Sequence, residues 1–509
     1  MAACLLSLGF CAGCGSGPGA NACAGVGEDG VVRIEQGALR GHGSGRVCAF
    51  TGVPYAAPPT SELRFHDATL PPHWSGVREA DTLARWCPQL ASDGTPIGDE
   101  DCLYLNLWTT GTTGASRPVL VFVHGGGNVT GSSTEPVYDG AHLAERSGAV
   151  VVTFDYRLGP LGYLAHPAFG AHSGNYGLSD LIFALSWVRD NVARFGGDPV
   201  RVLAFGQSAG SRNLCTLLSA APASHLFRAV ALESGACEIQ NESDALAFGA
   251  RVVQNTGCNG AADVASCLRS LSTHEILTAL PDEPDPLTTS HYNPNDSATA
   301  GETPLERLRE DTEEQPIPVI VGANADETGH IDQPLFSVSD YQALLRITFG
   351  SELTERILSL YPPDDFASVR DAWNAVLTDY RYVCPSGVTA SALQTNPRRA
   401  VHRYLFAHAL DHGPRRSWGA FHGLELLFLF GTFDALEYDP TAGERSLSDR
   451  VIDYWTHFAA TGDPNDPRHP SWPAYDPQRG AYLSIDTKSR AGELLHREQC
   501  EFWDGLAGN

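Results

Sequence analysis

The sequence predicts an α/β fold with a large, mostly parallel central sheet, and three observations carry this. Residues 118–123, 200–205 and 318–322 are short apolar runs of buried-strand length. Glycine-rich turns follow the first two, and the second turn leads into residues 211–220, which read as a helix. The 509 residues, 42% of them apolar, suffice for a large core, and no repeat or low-complexity linker interrupts residues 30–507. Length alone suggests two or three domains; insertions into one domain account for it better.

In chain order, the first run ends at His124-Gly125-Gly126-Gly127. A plain turn rarely needs three glycines, whereas a triplet behind a strand frees backbone N–H groups to face a ligand. The second run ends at Gly206-Gln207-Ser208-Ala209-Gly210, the only G-x-S-x-G in the chain. Alone, that pattern arises by chance in about a third of chains this long. A strand, a tight turn carrying serine between glycines, then a helix is the nucleophile elbow of α/β-hydrolases. The turn strains the serine backbone, and a side chain at either glycine would collide with the neighbouring strand or helix. The Ala209 amide then points at the reaction centre. In that fold the glycine triplet supplies the other half of an oxyanion hole, and an acid and a histidine follow the serine in that order. The third run precedes Asn324, Asp326 and Glu327; later, Phe421-His422-Gly423-Leu424-Glu425 opens an apolar stretch ending at Phe430-Gly431.

Further segments carry a resemblance. They include Phe50-Thr51-Gly52-Val53-Pro54-Tyr55-Ala56, Glu100-Asp101-Cys102-Leu103-Tyr104-Leu105-Asn106-Leu107-Trp108, Asp155-Tyr156-Arg157-Leu158-Gly159, Gly174-Asn175-Tyr176-Gly177-Leu178-Ser179-Asp180, Phe195-Gly196-Gly197-Asp198-Pro199 and Phe458-Ala459-Ala460-Thr461-Gly462-Asp463-Pro464. With the motifs above, the chain resembles the type-B carboxylesterase and cholinesterase family, as a bacterial-type carboxylesterase, over roughly residues 30–507. The resemblance implies an α/β-hydrolase domain over residues 26–509 behind a leader at 1–25. Its sheet would carry helices on both faces and loop and helix insertions over the active site. Residues 281–316, rich in proline and acid, read as surface loops on that side.

The resemblance also implies roles. Ser208 is the nucleophile, Glu327 the acid and His422 the base. The family's D-E-G reads Asp326-Glu327-Thr328 here, so Asp326 is the competing carboxylate, and the family match favours Glu327. His422 stands out among 18 histidines because Gly423 and Glu425 match as well. His422 takes the Ser208 proton as the hydroxyl attacks an ester carbonyl, and Glu327 holds the imidazole tautomer. Amides of Gly126, Gly127 and Ala209 stabilise the oxyanion, each worth about 10²–10³ in rate. An acyl-enzyme forms and water releases it. Family disulfides are implied for Cys87–Cys102, Cys258–Cys267 and Cys384–Cys500. Cys48, Cys215 and Cys237 remain, with Cys215 reading as a small core residue. No Cys/His spacing resembles a zinc site, and no cofactor is expected.

The net charge of −26 argues against nucleic acid or an anionic membrane surface as partner; a small-molecule ester is expected instead. Residues 4–13 are a short apolar stretch with no basic segment before it. Cys11-Ala12-Gly13-Cys14 partly resembles a bacterial lipobox, which makes Cys14 a candidate lipid anchor; Ala20-Asn21-Ala22 offers a cleavage site instead. With the cysteine pairs this points to export, as a secreted protein or a lipoprotein of the cell envelope. A leader without a targeting role, or a misassigned start, is the alternative. No stretch suffices for a second membrane span.

Among other readings, a binding or adhesion member with a lost serine fits poorly with intact Ser208, Glu327 and His422. A transacylase, a lipase or a cholinesterase-like enzyme shares the same machinery. Cholinesterases hold a cationic alcohol with a tryptophan inside their first disulfide loop, an acidic residue before the nucleophile and an aromatic pair after the glycine triplet. Here residues 88–101 contain no aromatic residue, and the other positions hold Gln207 and Asn128-Val129. Neutral esters of short to medium acyl chains are therefore expected.

Overall fold

The computed structural model describes residues 23, 25–43, 45–111, 116–170, 173–220, 225–279, 292–299, 301–331 and 337–507. The leader motifs, with Cys4, Cys11 and Cys14, lie outside these residues.

Ten strands form the central sheet. Numbered in chain order, they are β1 (Cys48–Pro54), β2 (Tyr104–Thr109), β3 (Arg117–Val123), β4 (Val150–Phe154), β5 (Gly197–Gln207), β6 (Ala229–Glu233), β7 (Val319–Asn324), β8 (Val401–Phe406), β9 (Tyr482–Ile485) and β10 (Arg490–Gly492). Their spatial order is β10-β9-β8-β7-β6-β5-β3-β4-β2-β1. From β4 through β3, β5, β6, β7 and β8 to β9 every pairing is parallel. The edges turn antiparallel, at β1–β2–β4 and at β9–β10.

The continuous apolar runs follow from burial on both faces. In β3, Val119, Val121 and Val123 pack with helices Tyr176–Asn191 and Ala209–Ser219, through Leu181, Leu185, Leu214 and Leu217. Leu120 and Phe122 face the opposite way, onto helices Leu424–Phe430 and Ala442–Thr461, with Phe428, Phe430, Val451 and Trp455. The period of two thus places one core on each side of the sheet. Alignment of parallel strands brings their C-terminal ends to one edge, where ligands bind in open α/β sheets.

Three details differ from the sequence reading. The helix after Ser208 spans Ala209–Ser219, because Ser208 itself is its N-cap. The described part of residues 281–316 is not all loop: Asp296–Thr299 forms a 3₁₀ turn and Pro304–Arg309 a helix, closed by a capping box between Thr303 and Glu306. The cysteines also pair further. Besides Cys87–Cys102, Cys258–Cys267 and Cys384–Cys500, disulfides join Cys23 to Cys48 and Cys215 to Cys237. Cys215 is therefore buried but is half of a cross-link, tying the helix Ala209–Ser219 to the segment after β6. Five disulfides suit an oxidising, extracellular environment. Among the described residues no helix is long and apolar enough to cross a membrane.

Cys384–Cys500 closes 116 residues, for which loop-closure entropy gives about 4–5 kcal/mol. Replacing both cysteines by serine should lower unfolding stability in urea by that order, leaving the other four pairs intact in unreduced peptide maps. Unchanged stability would show that this cross-link constrains little.

Candidate active site

Ser208 directly follows β5 with φ 57° and ψ −120°, a conformation that residues other than glycine rarely adopt. Packing holds it there. A Cβ on Gly210 would lie 2.1 Å from the Val123 carbonyl oxygen, so only glycine lets the helix begin against the end of β3. The Ser208 N–H donates to the Glu233 carbonyl of β6 at 2.8 Å. The serine is thus lifted between two neighbouring strands.

The glycine loop lies on the β3 side. Gly126 and Gly127 have φ of 101° and 63°. A Cβ on Gly125 would stand 3.0 Å from that of Ser208, which places this loop directly against the elbow. Among the described residues no hydrogen bond engages the amides of Gly126, Gly127 or Ala209. Two of these lie in the loop and one at the helix start, where the peptide dipole adds positive potential.

Glu327 follows β7 and is fully buried. Its Oε1 accepts the Asn324 N–H at 2.8 Å, and its Oε2 receives His422 Nδ1–H at 2.5 Å. The His422 N–H also donates to the Glu327 carbonyl at 3.1 Å. Asp326, the competing carboxylate, faces elsewhere and accepts the Ala420 N–H at 2.9 Å. The imidazole is 20% exposed, and the backbone beside it, at Gly423, comes within 3.8 Å of the Gln207 side chain when given a Cβ. The structure therefore brings Glu327 and His422 together and sets their loop beside the elbow. No hydrogen bond joins Ser208 Oγ to His422 among the described residues.

Other neighbours had no role assigned from the sequence. The Tyr382 ring packs on His422, centroids 5.0 Å apart. It belongs to a π-helical turn, Asp379–Val383, directly before Cys384. Behind Glu327 lie Glu425, Glu233 and Tyr404, all buried. Asn324 Nδ2 donates to Glu425, and Trp455 Nε1–H donates to Glu233 at 2.6 Å. Burial, aided by the charge of Glu327, pushes Glu425 up to about 8, and burial lifts Glu233 well above the carboxylate range. Glu425 stands in the matched His422-Gly423-Leu424-Glu425 string; Glu233 had only its place at a strand end as a signal. Elsewhere His408, Asp411 and Glu444 cluster, but their groups are committed: His408 Nδ1 to Asp486 at 2.8 Å, and Glu444 Oε1 to the Tyr438 hydroxyl at 2.6 Å and the Asp411 N–H at 3.0 Å.

Topology and the strand–serine–helix turn together define an α/β-hydrolase. The profile described as Carboxylesterase family matches residues 28–503. Para-nitrobenzyl esterase of Bacillus subtilis (strain 168) is 32% identical over 481 residues, covering 90% of this chain and 95% of that one. Cholinesterase of Mus musculus is 31% identical over 527 residues, covering 94% and 86%. Among solved structures, a thermophilic PNB esterase superposes with TM-score 0.82 at 30% identity, covering 93% of this chain and 100% of that one. A further PNB esterase gives 0.81, again at 30% identity and over 93% and 100% of the two chains. The chain belongs to the carboxylesterase family, and its enzyme class is carboxylic ester hydrolase.

The raised Glu425 makes a prediction. A value above the ordinary 4.5 means that folding favours the protonated form. Its stabilisation is full below that ordinary value and is lost as pH rises through about 8, at about 1.4 kcal/mol per pH unit between them. The melting temperature should fall from about pH 5 to about pH 8, and Glu425→Gln, neutral throughout, should flatten that slope. Equal slopes in the two proteins would exclude Glu425 as the source.

Proposed function

We propose that the protein is a serine carboxylesterase acting through Ser208, His422 and Glu327 by way of an acyl-enzyme. The observation that carries this is the buried Glu327–His422 hydrogen bond, made beside a serine held at positive φ. Glu327 fixes Nδ1 as the protonated nitrogen, leaving Nε2 as the base that accepts the Ser208 proton. Attack on the ester carbonyl forms the Oγ–C bond and moves charge onto the carbonyl oxygen. The uncommitted amides of Gly126, Gly127 and Ala209 receive that charge. The imidazolium then protonates the departing alkoxide, and water, activated by the same nitrogen, cleaves the acyl-enzyme.

The preferred substrates are neutral esters of short to medium acyl chains. Residues 88–101 carry a small strand pair and no aromatic side chain. Asn128 is buried and committed to Asn213 at 2.9 Å and to the Tyr156 hydroxyl at 3.2 Å, so it does not line a cation site. The likeness to para-nitrobenzyl esterase supports simple aryl and benzyl esters as assay substrates. The disulfides support export, with Cys14 as the lipid anchor or with cleavage after Ala22.

Ser208→Ala should abolish about 10⁶ of turnover with circular dichroism unchanged, and an organophosphate should label Ser208 alone. Glu327→Gln should cost orders of magnitude in kcat, and Asp326→Asn far less; the reverse order would reassign the acid.

The alcohol side is tested with acetylcholine and its uncharged isostere, 3,3-dimethylbutyl acetate. A cation–π site would favour acetylcholine in kcat/KM about tenfold. Comparable values are expected here, and a tenfold preference at physiological salt would overturn the neutral-ester reading.

A further inference from the structure

His124 and Asp155 are the first residues beyond β3 and β4. These strands pair in parallel with Val123 opposite Phe154, so the two side chains emerge next to each other. Both are 1% exposed, and His124 Nε2 lies 3.8 Å from Asp155 Oδ1. That gap is too short for water to sit between them, and a shift of under about 1 Å would make a hydrogen bond. Neither His124 Nε2 nor Asp155 Oδ2 has a hydrogen-bond partner among the described residues.

The ring's other nitrogen is spoken for. His124 Nδ1 is 2.8 Å from the Gly125 carbonyl, which only accepts, so Nδ1 carries hydrogen. Nε2 must then either hold a second proton or present a bare lone pair to the carboxyl. Ser132 and Ser133 donate to the Asp155 carboxyl but not to the ring, so a bare lone pair at Nε2 would still face a carboxylate with no proton between the two acceptors. One proton between them removes that conflict, whichever atom formally owns it.

We propose that His124 and Asp155 share one proton between Nε2 and the carboxyl group, and that this proton holds the oxyanion loop in its working shape. This rests on the esterase reading above. In a trans peptide the carbonyl and the following N–H point in opposite directions. The His124 ring, by holding the Gly125 carbonyl, therefore aims the Gly126 N–H the other way. The ring is clamped from its face by Tyr156, centroids 4.5 Å apart, whose hydroxyl donates to the His124 carbonyl at 2.9 Å. Asp155 Oδ1 is anchored by the Ser133 N–H at 2.6 Å. Losing the shared proton turns attraction into repulsion at Nε2, loosens the ring and frees the Gly125–Gly126 peptide to rotate. His124 and Asp155 are positioning residues: they act on the oxyanion through Gly126.

Of the groups around the pair, the tyrosines and the Arg157–Asp180 ion pair keep one charge state, and Glu135 is the other carboxyl that burial raises. Tyr55 donates to the Asp155 carbonyl at 2.7 Å, and burial pushes the hydroxyls of Tyr55, Tyr138 and Tyr156 up, so they stay neutral. Glu135 is raised by burial, and its proximity raises Asp155 further. Arg157 and Asp180, beyond Tyr55, neutralise each other at 2.6 Å. Burial itself pushes Asp155 up and His124 down, the directions in which the pair keeps one proton and no net charge.

The test is kcat for ethyl butyrate against pH, followed by pH-stat. Wild type should lose kcat about tenfold per pH unit above the pair's own titration, with KM little changed. Asp155→Asn has no proton to lose at the carboxyl position and keeps an oxygen for the Ser133 N–H, so its kcat should show no such alkaline fall. Because Glu425 beside Glu327 is itself pushed up to about 8, both proteins are compared in a Glu425→Gln background; there, a kcat that stays flat into the alkaline range with Asp155 present, or an alkaline fall that persists in Asp155→Asn, overturns the proposal. A second readout needs no variant to fold and no turnover: NMR of ¹⁵N-histidine-labelled wild type. It should show a downfield proton bridging His124 Nε2 that disappears at alkaline pH; its absence at every pH also overturns the proposal. Ester hydrolysis by Ser208→Ala would instead sink the catalytic reading, while the NMR signal would still judge the shared proton.

Discussion

The approach of Gly210 to the Val123 carbonyl sets the rest of the site. With hydrogen in place of a side chain, the nucleophile's helix starts flush against the end of β3. That strand end is also where the glycine loop departs. Ser208 and the glycine loop, the proposed nucleophile and oxyanion donors, are therefore registered by one van der Waals contact between backbones, with no long side chain that could relax. A methyl group at residue 210 would push helix and loop apart, and the strained φ of Ser208 would lose the packing that holds it.

Electrostatics beneath this frame is uneven by design of burial. Three glutamates, at 233, 327 and 425, crowd behind the histidine, yet only Glu327 meets an imidazole. Desolvation favours the neutral forms of Glu233 and Glu425, while Glu327 is the carboxyl hydrogen-bonded to His422. Asn324 links the layers. Its N–H serves Glu327 and its side chain serves both Glu425 and the Phe421 carbonyl, at 2.8 Å for the latter.

Much of this was legible in the sequence because it rests on local chemistry. Apolar runs of the right length mark strands buried on both faces, and the glycines around Ser208 and at residues 125–127 mark close backbone approaches. Glu327 and His422 followed from their order in the chain and from family strings. What stayed hidden depends on register. Nothing local distinguishes Asp155 from a surface aspartate; it becomes buried because β4 stands in step with β3. Tyr382 reaches His422 only through a π-helical turn, and the partner of Cys215 is set by where the chain emerges after β6. Thr303 with Glu306 was a readable helix start inside a stretch whose prolines and acids suggested only loop.

The parallel sheet has a consequence for how activity appears. Parallel neighbours cannot be joined by tight turns, so each strand carrying a working residue is separated from the next by a long crossover. The acid and the base alone are 95 residues apart. No hairpin brings the serine elbow, the glycine loop and the Glu327–His422 pair together, and such non-local pairing is slow to form. Catalysis is thus switched on only when strands β3 to β8 have zipped together. Turnover therefore reports completion of the entire sheet, where helix content reports only its local pieces.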